Sequence, residues 1–233
     1  MSAERSSLRL PSDPLRSSAL RLLTVPSRYA ASSRLDLLAP LRQPRAEVLG
    51  LALTATIYHF QITLSDVDRG VYEALDLRVA RHPSETMRYL VTRTLAYCLS
   101  FEDGIAFSKG GLSTAEEAPV SVRDATGVLR AWLDVGAPSA ERLHKASKAA
   151  GRVALFTHVE LSLLLREAST RPIHRVEQIE VFRIEPEFLD ALAAKLDKNS
   201  KFEVVRTDGQ LYVTLGGEAL NGTLTQCSLV EAK

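Results

Sequence analysis

The sequence predicts an α/β protein with a mixed β-sheet, and three of its stretches carry this prediction. Residues 128–157 have the pattern strand, helix, strand, which is typical of a parallel crossover unit. Residues 53–64 alternate between apolar and polar side chains as a half-buried strand does, and residues 75–79 alternate again after a turn. Residues 201–215 contain two strand-like runs around an Asp-Gly turn, which indicates a hairpin.

Composition and charge exclude several classes of function. The chain has 233 residues, of which 45% are hydrophobic and 24% charged, as in ordinary globular proteins. A net charge of +1 gives no overall attraction to nucleic acid or to a membrane surface, so any polyanion site must be a local patch. The sequence contains no Walker loop, zinc cluster or GxGxxG motif. It also lacks a run approaching the roughly twenty apolar residues of a membrane span.

The two cysteines indicate a reducing compartment. Cys98 and Cys227 lie far apart and outside any CxxC pattern, so we expect two buried free thiols rather than a disulfide. No secretory signal pattern is present, and we expect a cytoplasmic monomer.

Residues 1–48 differ in composition from the rest of the chain. They contain eight arginines, no lysine and many serines, and five prolines interrupt any helix. Such a segment fits a transit peptide or a basic arm that binds nucleic acid. It also fits a disordered extension, which we favour because the segment cannot bury a core. Residues 49–233 are then expected to form a single domain.

The crossover unit has recognisable boundaries. Residues 128–135 form an apolar strand with Asp134 near its carboxyl end. Ser139 is placed to cap a helix, and Gly151 follows the end of that helix. Residues 153–157 are the short apolar run that a strand buried on both faces requires.

The remaining elements are predicted from periodicity. A helix begins at Pro83 and Ser84, carries Glu85 in its first turn, and buries one face. That position suits a carboxylate for structural reasons alone, because the helix dipole favours negative charge there. The other expected elements are a short strand near 105, a glycine loop at 110–111, an irregular connection over 112–127, a helix near 160–168, a strand over 176–184, a helix from Pro186 and a weak strand over 220–229.

Five motifs occur in order along the chain: ATIYHF, ARHPSET, FSKGGLST, WLDVGAPSAERLHKASKAA and VALFTH. Together they resemble the YaeQ family of small bacterial proteins over most of residues 51–215, and the resemblance leaves out the first fifty residues. It implies a restriction-endonuclease-like core, a variant of the PD-(D/E)xK nuclease superfamily. Such a core has a helix that carries a glutamate, a central mixed sheet with helices on both sides, and acids on adjacent strands.

The resemblance also implies a site. Asp134 matches the acid of the (D/E)xK strand, and Glu85 matches the glutamate of the preceding helix. In such a site carboxylates hold Mg²⁺, which polarises the scissile phosphate and activates a water molecule. The expected chemistry is therefore metal-dependent cleavage of a phosphodiester in nucleic acid.

Two departures from the nuclease pattern weaken this expectation. Gly136 stands where the pattern has a lysine, which Lys145 or Lys148 of the following helix would have to supply. The PD position falls at 119–120, where the acid is absent, and Asp124 is a candidate substitute.

Each candidate also has a plainer interpretation. Asp134 fits a loop acid before a glycine. Lys145 and Lys148, with Arg142 and Arg152, fit a solvated helix face as well as a patch that binds nucleic acid. The alternative function is a non-catalytic module that binds nucleic acid or protein on a degenerate nuclease scaffold, and the family resemblance adds a link to transcription. The positions of the carboxylates of Glu85, Asp124 and Asp134 relative to one another separate these possibilities.

We predict that residues 1–48 are dispensable for folding, because continuous alternation begins only after them. Deleting them should leave the melting temperature within a few degrees of that of the full chain. A larger loss, measured by circular dichroism at equal concentration, would show that the segment contributes to the folded domain.

Overall fold

The computed structural model describes residues 55–109 and 116–230, which form a ten-stranded mixed sheet and four α-helices. The predicted extension at 1–48 and the predicted glycine loop at 110–111 lie outside the described residues. The α/β class and the mixed sheet are therefore confirmed.

The elements follow one another along the chain, and their bounds are as follows. The strands are β1 (Thr56–Asp66), β2 (Val71–Arg81), β3 (Ile105–Phe107), β4 (Val120–Arg123), β5 (Leu129–Val135), β6 (Arg152–Thr157), β7 (Glu180–Ile184), β8 (Asn199–Thr207), β9 (Gln210–Leu215) and β10 (Glu218–Cys227). The helices are α1 (Met87–Leu99), α2 (Ala140–Ala149), α3 (Ser162–Thr170) and α4 (Pro186–Lys195). The order across the sheet is β2-β1-β8-β9-β10-β7-β6-β5-β4-β3.

The pairing confirms the three predictions that define the fold class. β1 and β2 form an antiparallel hairpin, and β5 and β6 pair in parallel with α2 between them in sequence. β8 and β9 form the expected second hairpin, in which Asp208 and Gly209 have φ values of 48° and 72°. Two consecutive positive φ values define the turn whose twist matches that of the strands it joins.

The helices cover both faces of the sheet. Leu133, Ala154 and Phe156 pack in the core that contains α1 and α4. Val153 and Leu155, which alternate with them along β6, pack in the core that contains α2 and α3. Because successive strand residues point to opposite faces, these two cores lie on opposite sides of the sheet.

Helix α1 is enclosed on all sides, although its sequence predicts only one buried face. Every residue from Leu90 to Leu99 is buried, because both edge strands approach the helix. The guanidinium of Arg93 donates through Nη2 to the carbonyl of Ala80 in β2 (2.7 Å) and lies 5.5 Å from the ring centroid of Phe107 in β3. Strands β2 and β3 are the two ends of the sheet, so the sheet curves around α1.

The turn between β1 and β2 caps the carboxyl end of the same helix. The Arg69 guanidinium donates to the carbonyls of Leu99 (2.8 Å) and Phe101 (2.9 Å). These carbonyls have no partners within the helix, and a cation there also complements the helix dipole. Asp66, fully buried, lies 3.7 Å from Arg69 and 3.5 Å from Arg206, which ties the turn to β8.

Three local predictions were wrong. Helix α1 begins at Met87 with Thr86 as its cap, so Glu85 precedes the helix instead of lying in its first turn. The connection over 112–127 contains β4, four residues long and therefore too short for its periodicity to be visible. Of the strand predicted over 176–184, only the second half is extended, because Val176–Gln178 form a 3₁₀ turn.

The thiols are free, as predicted, although only Cys98 is buried and Cys227 is half-buried. Burial raises the pKa of the Cys98 thiol to about 12. Among the residues that the structure describes, the helices are too short or too polar to cross a membrane.

The sharp turn before β3 requires glycine at position 104. Gly104 has a φ of 84°, and an added Cβ would lie 1.9 Å from the carbonyl oxygen of Arg123. Gly70, with a φ of 68°, has open space around the same position. We predict that Gly70→Ala costs about 1 kcal/mol, from backbone strain alone, whereas Gly104→Ala costs at least about 2 kcal/mol more. Urea unfolding of the two variants measures the difference, and equal losses would contradict the close approach.

Candidate functional site

Asp134 is buried, and both oxygens of its carboxylate accept hydrogen bonds from the protein. Oδ1 accepts from the backbone N–H of Val135 (3.0 Å). Oδ2 accepts from the indole Nε1 of Trp132 (3.1 Å) and from Nε of Arg142 (2.6 Å). Trp132 and Asp134 are two residues apart in β5 and so share the face toward α2. The site is therefore a carboxylate enclosed by three donors.

Arg142 reaches this carboxylate because α2 begins beside the end of β5. The hydroxyl of Ser139 accepts from the backbone N–H of Arg142 (3.3 Å), which is the predicted helix cap. The guanidinium also donates through Nη2 to the carbonyl of Glu117 (2.9 Å) and lies 5.4 Å from the Trp132 ring. Arg142 thus holds β5, α2 and the segment before β4 together, a role that the sequence did not reveal.

Glu85 is enclosed in a similar way on the other face of the sheet. Its Oε2 accepts from the backbone N–H of His82 (3.1 Å) and from Nη2 of Arg93 (3.1 Å), and its Oε1 lies 2.9 Å from the same Nη2. Both side chains of the pair are fully buried. Burial raises the pKa of Glu85, and the charge of Arg93 opposes that rise.

Tyr89 is a side chain whose pKa both carboxylates affect. It follows Glu85 by four residues, and its ring borders Gly136 at the end of β5. Burial and the negative charge of Asp134 raise the pKa of Tyr89 to about 12, and Glu85 adds to the effect. Both acids therefore act on Tyr89, although each has its own arginine.

The structure does not bring Asp124 to this site. Its Oδ1 accepts from the N–H and hydroxyl of Thr126 and from the N–H of Val128, which shapes the turn before β5. The hydrogen bond from the Thr126 hydroxyl contributes most to lowering the pKa of Asp124. Since Asp134 is at the opposite end of the strand, the two carboxylates are separated by at least about 15 Å.

The two candidate lysines lie on the solvent side of α2. Lys145 is half exposed and lies 3.6 Å from Glu116 and 3.8 Å from Glu141. Lys148 is exposed near the carboxyl end of the helix. Neither makes a hydrogen bond to Asp134, and their predicted catalytic role remains a prediction.

Arg152 is placed at the amino end of β6, away from Asp134. Its guanidinium lies 2.8 Å from Glu180 and 3.3 Å from Glu102. Hydrogen bonding to Glu180 raises the pKa of Arg152. This residue and Arg142 are both engaged with carboxylates, which is the role an arginine fork performs in ion pairs.

The donor set around Asp134 does not suit a divalent cation as it stands. Mg²⁺ requires free oxygen ligands and uncompensated negative charge, and here protein donors occupy both oxygens while Arg142 supplies the positive charge. Within residues 55–109 and 116–230, no group of three or more histidine, cysteine, aspartate and glutamate side chains is arranged to hold a metal ion.

Arg93 and Tyr89 are functional-site neighbours that the sequence motifs do not indicate. Both follow Glu85 at intervals of four residues, so all three fall on one side of a helical pattern. An arginine inside the otherwise apolar run that ends at Leu99 was the available signal, because a charge is seldom buried without a partner.

Fold and site together define a mixed α/β protein with a helix enclosed by its sheet and two buried carboxylate–arginine pairs. The family model for YaeQ protein matches residues 51–224. The chain therefore belongs to the YaeQ family, as the five motifs indicated.

Relatives and solved structures agree with this assignment. The YaeQ protein of Escherichia coli (strain K12) is 27% identical over 176 residues, which cover 75% of this chain and 97% of the relative. That of Salmonella typhi is 34% identical over 108 residues, 46% of this chain and 59% of the relative. The crystal structures of YaeQ proteins from Pseudomonas syringae and Xanthomonas axonopodis pv. citri each match with a TM-score of 0.68 and 27% identity, over 75% of this chain and 96% and 99% of theirs.

We predict that the Glu85–Arg93 pair is structurally coupled. Arg93→Leu should lower the free energy of unfolding by about 3–5 kcal/mol, because it leaves a buried carboxylate without its partner. The double variant Glu85→Leu/Arg93→Leu should be more stable than Arg93→Leu alone. Chemical denaturation of the wild type, both single variants and the double variant completes the cycle. Additive losses would show that the two side chains do not depend on each other.

Proposed function

We propose that this protein is a nucleic-acid-binding module on a nuclease-like scaffold, and that Glu85 and Asp134 stabilise the scaffold instead of holding a catalytic metal. The scaffold part of the proposal rests on two features that the PD-(D/E)xK resemblance implies. The sheet is mixed and has helices on both faces, and β4 and β5 are adjacent. The glutamate departs from the implied pattern, because Glu85 precedes α1 instead of lying on it. Val120 pairs with Leu133, so the PD position lies beside Asp134.

One observation carries the non-catalytic part of the proposal: the 2.6 Å contact between Arg142 Nε and Asp134 Oδ2. A guanidinium is always protonated, and in this contact it supplies the positive charge that a metal ion would supply. The side chain of Asp134 is 3% exposed and that of Arg142 16%, so water weakens the pair less than it would at the surface.

Local charge supports nucleic acid as the ligand. Residues 140–175, which contain α2, β6 and α3, carry seven arginines and lysines and three glutamates, against a net charge of +1 for the whole chain. Arg142 and Arg152 are engaged with carboxylates, and five basic side chains remain on the surface of this segment. Phosphate contacts by such side chains supply most of the affinity in sequence-independent binding.

A metal-dependent nuclease is the second candidate. It is favoured by the observation that the charges of Glu85 and Asp134 both raise the pKa of Tyr89. In this candidate Arg142 would have to leave Asp134 before the carboxylates became ligands. The two candidates predict opposite behaviour of Asp134→Ala. If Asp134 is a metal ligand, replacing it should abolish metal binding and should leave the stability of the protein unchanged or raise it, because clustered carboxylates repel each other without their ion.

For the non-catalytic module, Asp134→Ala should lower the free energy of unfolding by about 2–4 kcal/mol, because Arg142 loses its charge partner and Trp132 an acceptor. Binding of oligonucleotides by the wild type should persist in EDTA. Thermal melts, calorimetric titration with Mg²⁺ and Mn²⁺, and fluorescence anisotropy with labelled 20-mers measure these outcomes.

Asp124→Ala is the matched control. Because that carboxylate is remote from Arg142, its replacement should leave the metal and nucleic-acid titrations unchanged. Two results together would establish the nuclease: the wild type binds metal at millimolar concentration and cleaves the oligonucleotide, and Asp134→Ala abolishes the metal binding. Failure of the wild type to bind DNA or RNA of any form would refute the binding module.

A further inference from the structure

We infer that the carboxyl end of α2 and residues 171–175, which follow α3, form the surface that contacts the phosphate backbone, through the exposed side chains of Lys148, Arg171 and Arg175. We refer to these three residues with His144 and His174 as the basic patch. The inference rests on the proposed function and adds to it the surface and the mode of binding. None of the residues in the basic patch belongs to the Asp134 site.

Hydrogen bonds between α2 and the segment after α3 assemble the basic patch. Nδ1 of His174 lies 3.2 Å from the carbonyl of Ser147, which can only accept, so this nitrogen carries a proton. The ring nitrogen Nδ1 of His144 lies 3.3 Å from the backbone N of His174 and 3.1 Å from the carbonyl of Pro172. Residues 171–175 are therefore held against the last two turns of α2.

The cations of the basic patch are not neutralised in the structure. Within the part of the chain that the structure describes, no carboxylate lies within ion-pair distance of Lys148, Arg171 or Arg175, and all three are exposed. Lys145, one turn earlier on α2, differs in that it lies near Glu116 and Glu141. Three exposed cations without carboxylate partners on adjoining segments attract a ligand with several regularly spaced negative charges, as a polynucleotide has.

The left-handed backbone conformation of Arg175 is a second feature of this surface. Arg175 has φ 49° and ψ 42°, which is the left-handed region, and glycine or asparagine would adopt it at lower cost. Arg175 lines a shallow hollow beside the end of α2, together with Ser147, Gly151 and Gln178. A long cationic side chain at a position where the backbone favours glycine is consistent with a requirement for its charge.

The chemistry of the basic patch indicates contacts to phosphates and not to bases. Residues 158–178 and α2 contain no phenylalanine, tyrosine or tryptophan on which a base could stack. Lysine and arginine contacts to phosphate position a nucleic acid without reading its sequence. We therefore expect binding that depends on salt and is independent of sequence.

The experiment compares two triple variants of the full chain. Lys148→Gln/Arg171→Gln/Arg175→Gln removes the cations of the basic patch. Arg78→Gln/Lys198→Gln/Lys201→Gln removes the same charge from exposed positions at β2 and β8, at the other end of the sheet. Anisotropy with labelled 20-mers of single-stranded DNA, duplex DNA and RNA at several salt concentrations gives the dissociation constants.

The variant of the basic patch should bind at least tenfold more weakly than the wild type at about 100 mM salt. For duplex DNA, it should also reduce the magnitude of the slope of log K against log salt by about 2 to 3. The control variant should change affinity less than about twofold. Equal affinities of the two triple variants would overturn the basic patch while leaving the proposed function intact. Absence of binding by the wild type would overturn both, and thermal melts of all three proteins show that the substitutions leave the fold unchanged.

Discussion

A single buried guanidinium joins the two ends of the sheet to the helix that the sheet encloses. Arg93 contacts Ala80 in β2 and Phe107 in β3, and Glu85 balances its charge. Apolar packing alone would leave the register of the two edge strands against α1 undefined, since hydrophobic contacts have no direction. The directional contacts of Arg93 fix that register, and they require a carboxylate at position 85.

The same principle explains Asp134. A carboxylate at a strand end and an arginine on the following helix give the crossover unit a fixed geometry at the point where β5, α2 and the segment before β4 meet. Each of the two acids is therefore paired with a buried or half-buried arginine in the structure. A motif states which residue types are present, and the hydrogen-bond partners decide what these residues can do.

The sequence was sufficient for those elements whose signals are local. The β5–α2–β6 unit, the β8–β9 hairpin and the start of α4 at Pro186 depend on alternation, caps and turn residues within about thirty residues, and all are present. The enclosure of α1 depends on β2 and β3, which flank the helix in sequence but lie at opposite ends of the ten-stranded sheet. Because the pairing of all the strands between them brings these two strands to the helix, no local pattern could reveal it. The arginine partners of Glu85 and Asp134 were missed for a related reason, because side chains eight residues from each acid meet it only after the chain has turned.

The parallel pairing of β1 with β8 has a consequence for how the protein is made. Ile62 is paired with Phe202, which is synthesised 140 residues later. During translation the edge of β1 that pairs with β8 thus remains open until most of the chain has left the ribosome. Long-range pairing of this kind is slow, and an uncovered strand edge attracts other chains. The amino-terminal hairpin is consequently the segment most exposed to misassembly, although it is made first.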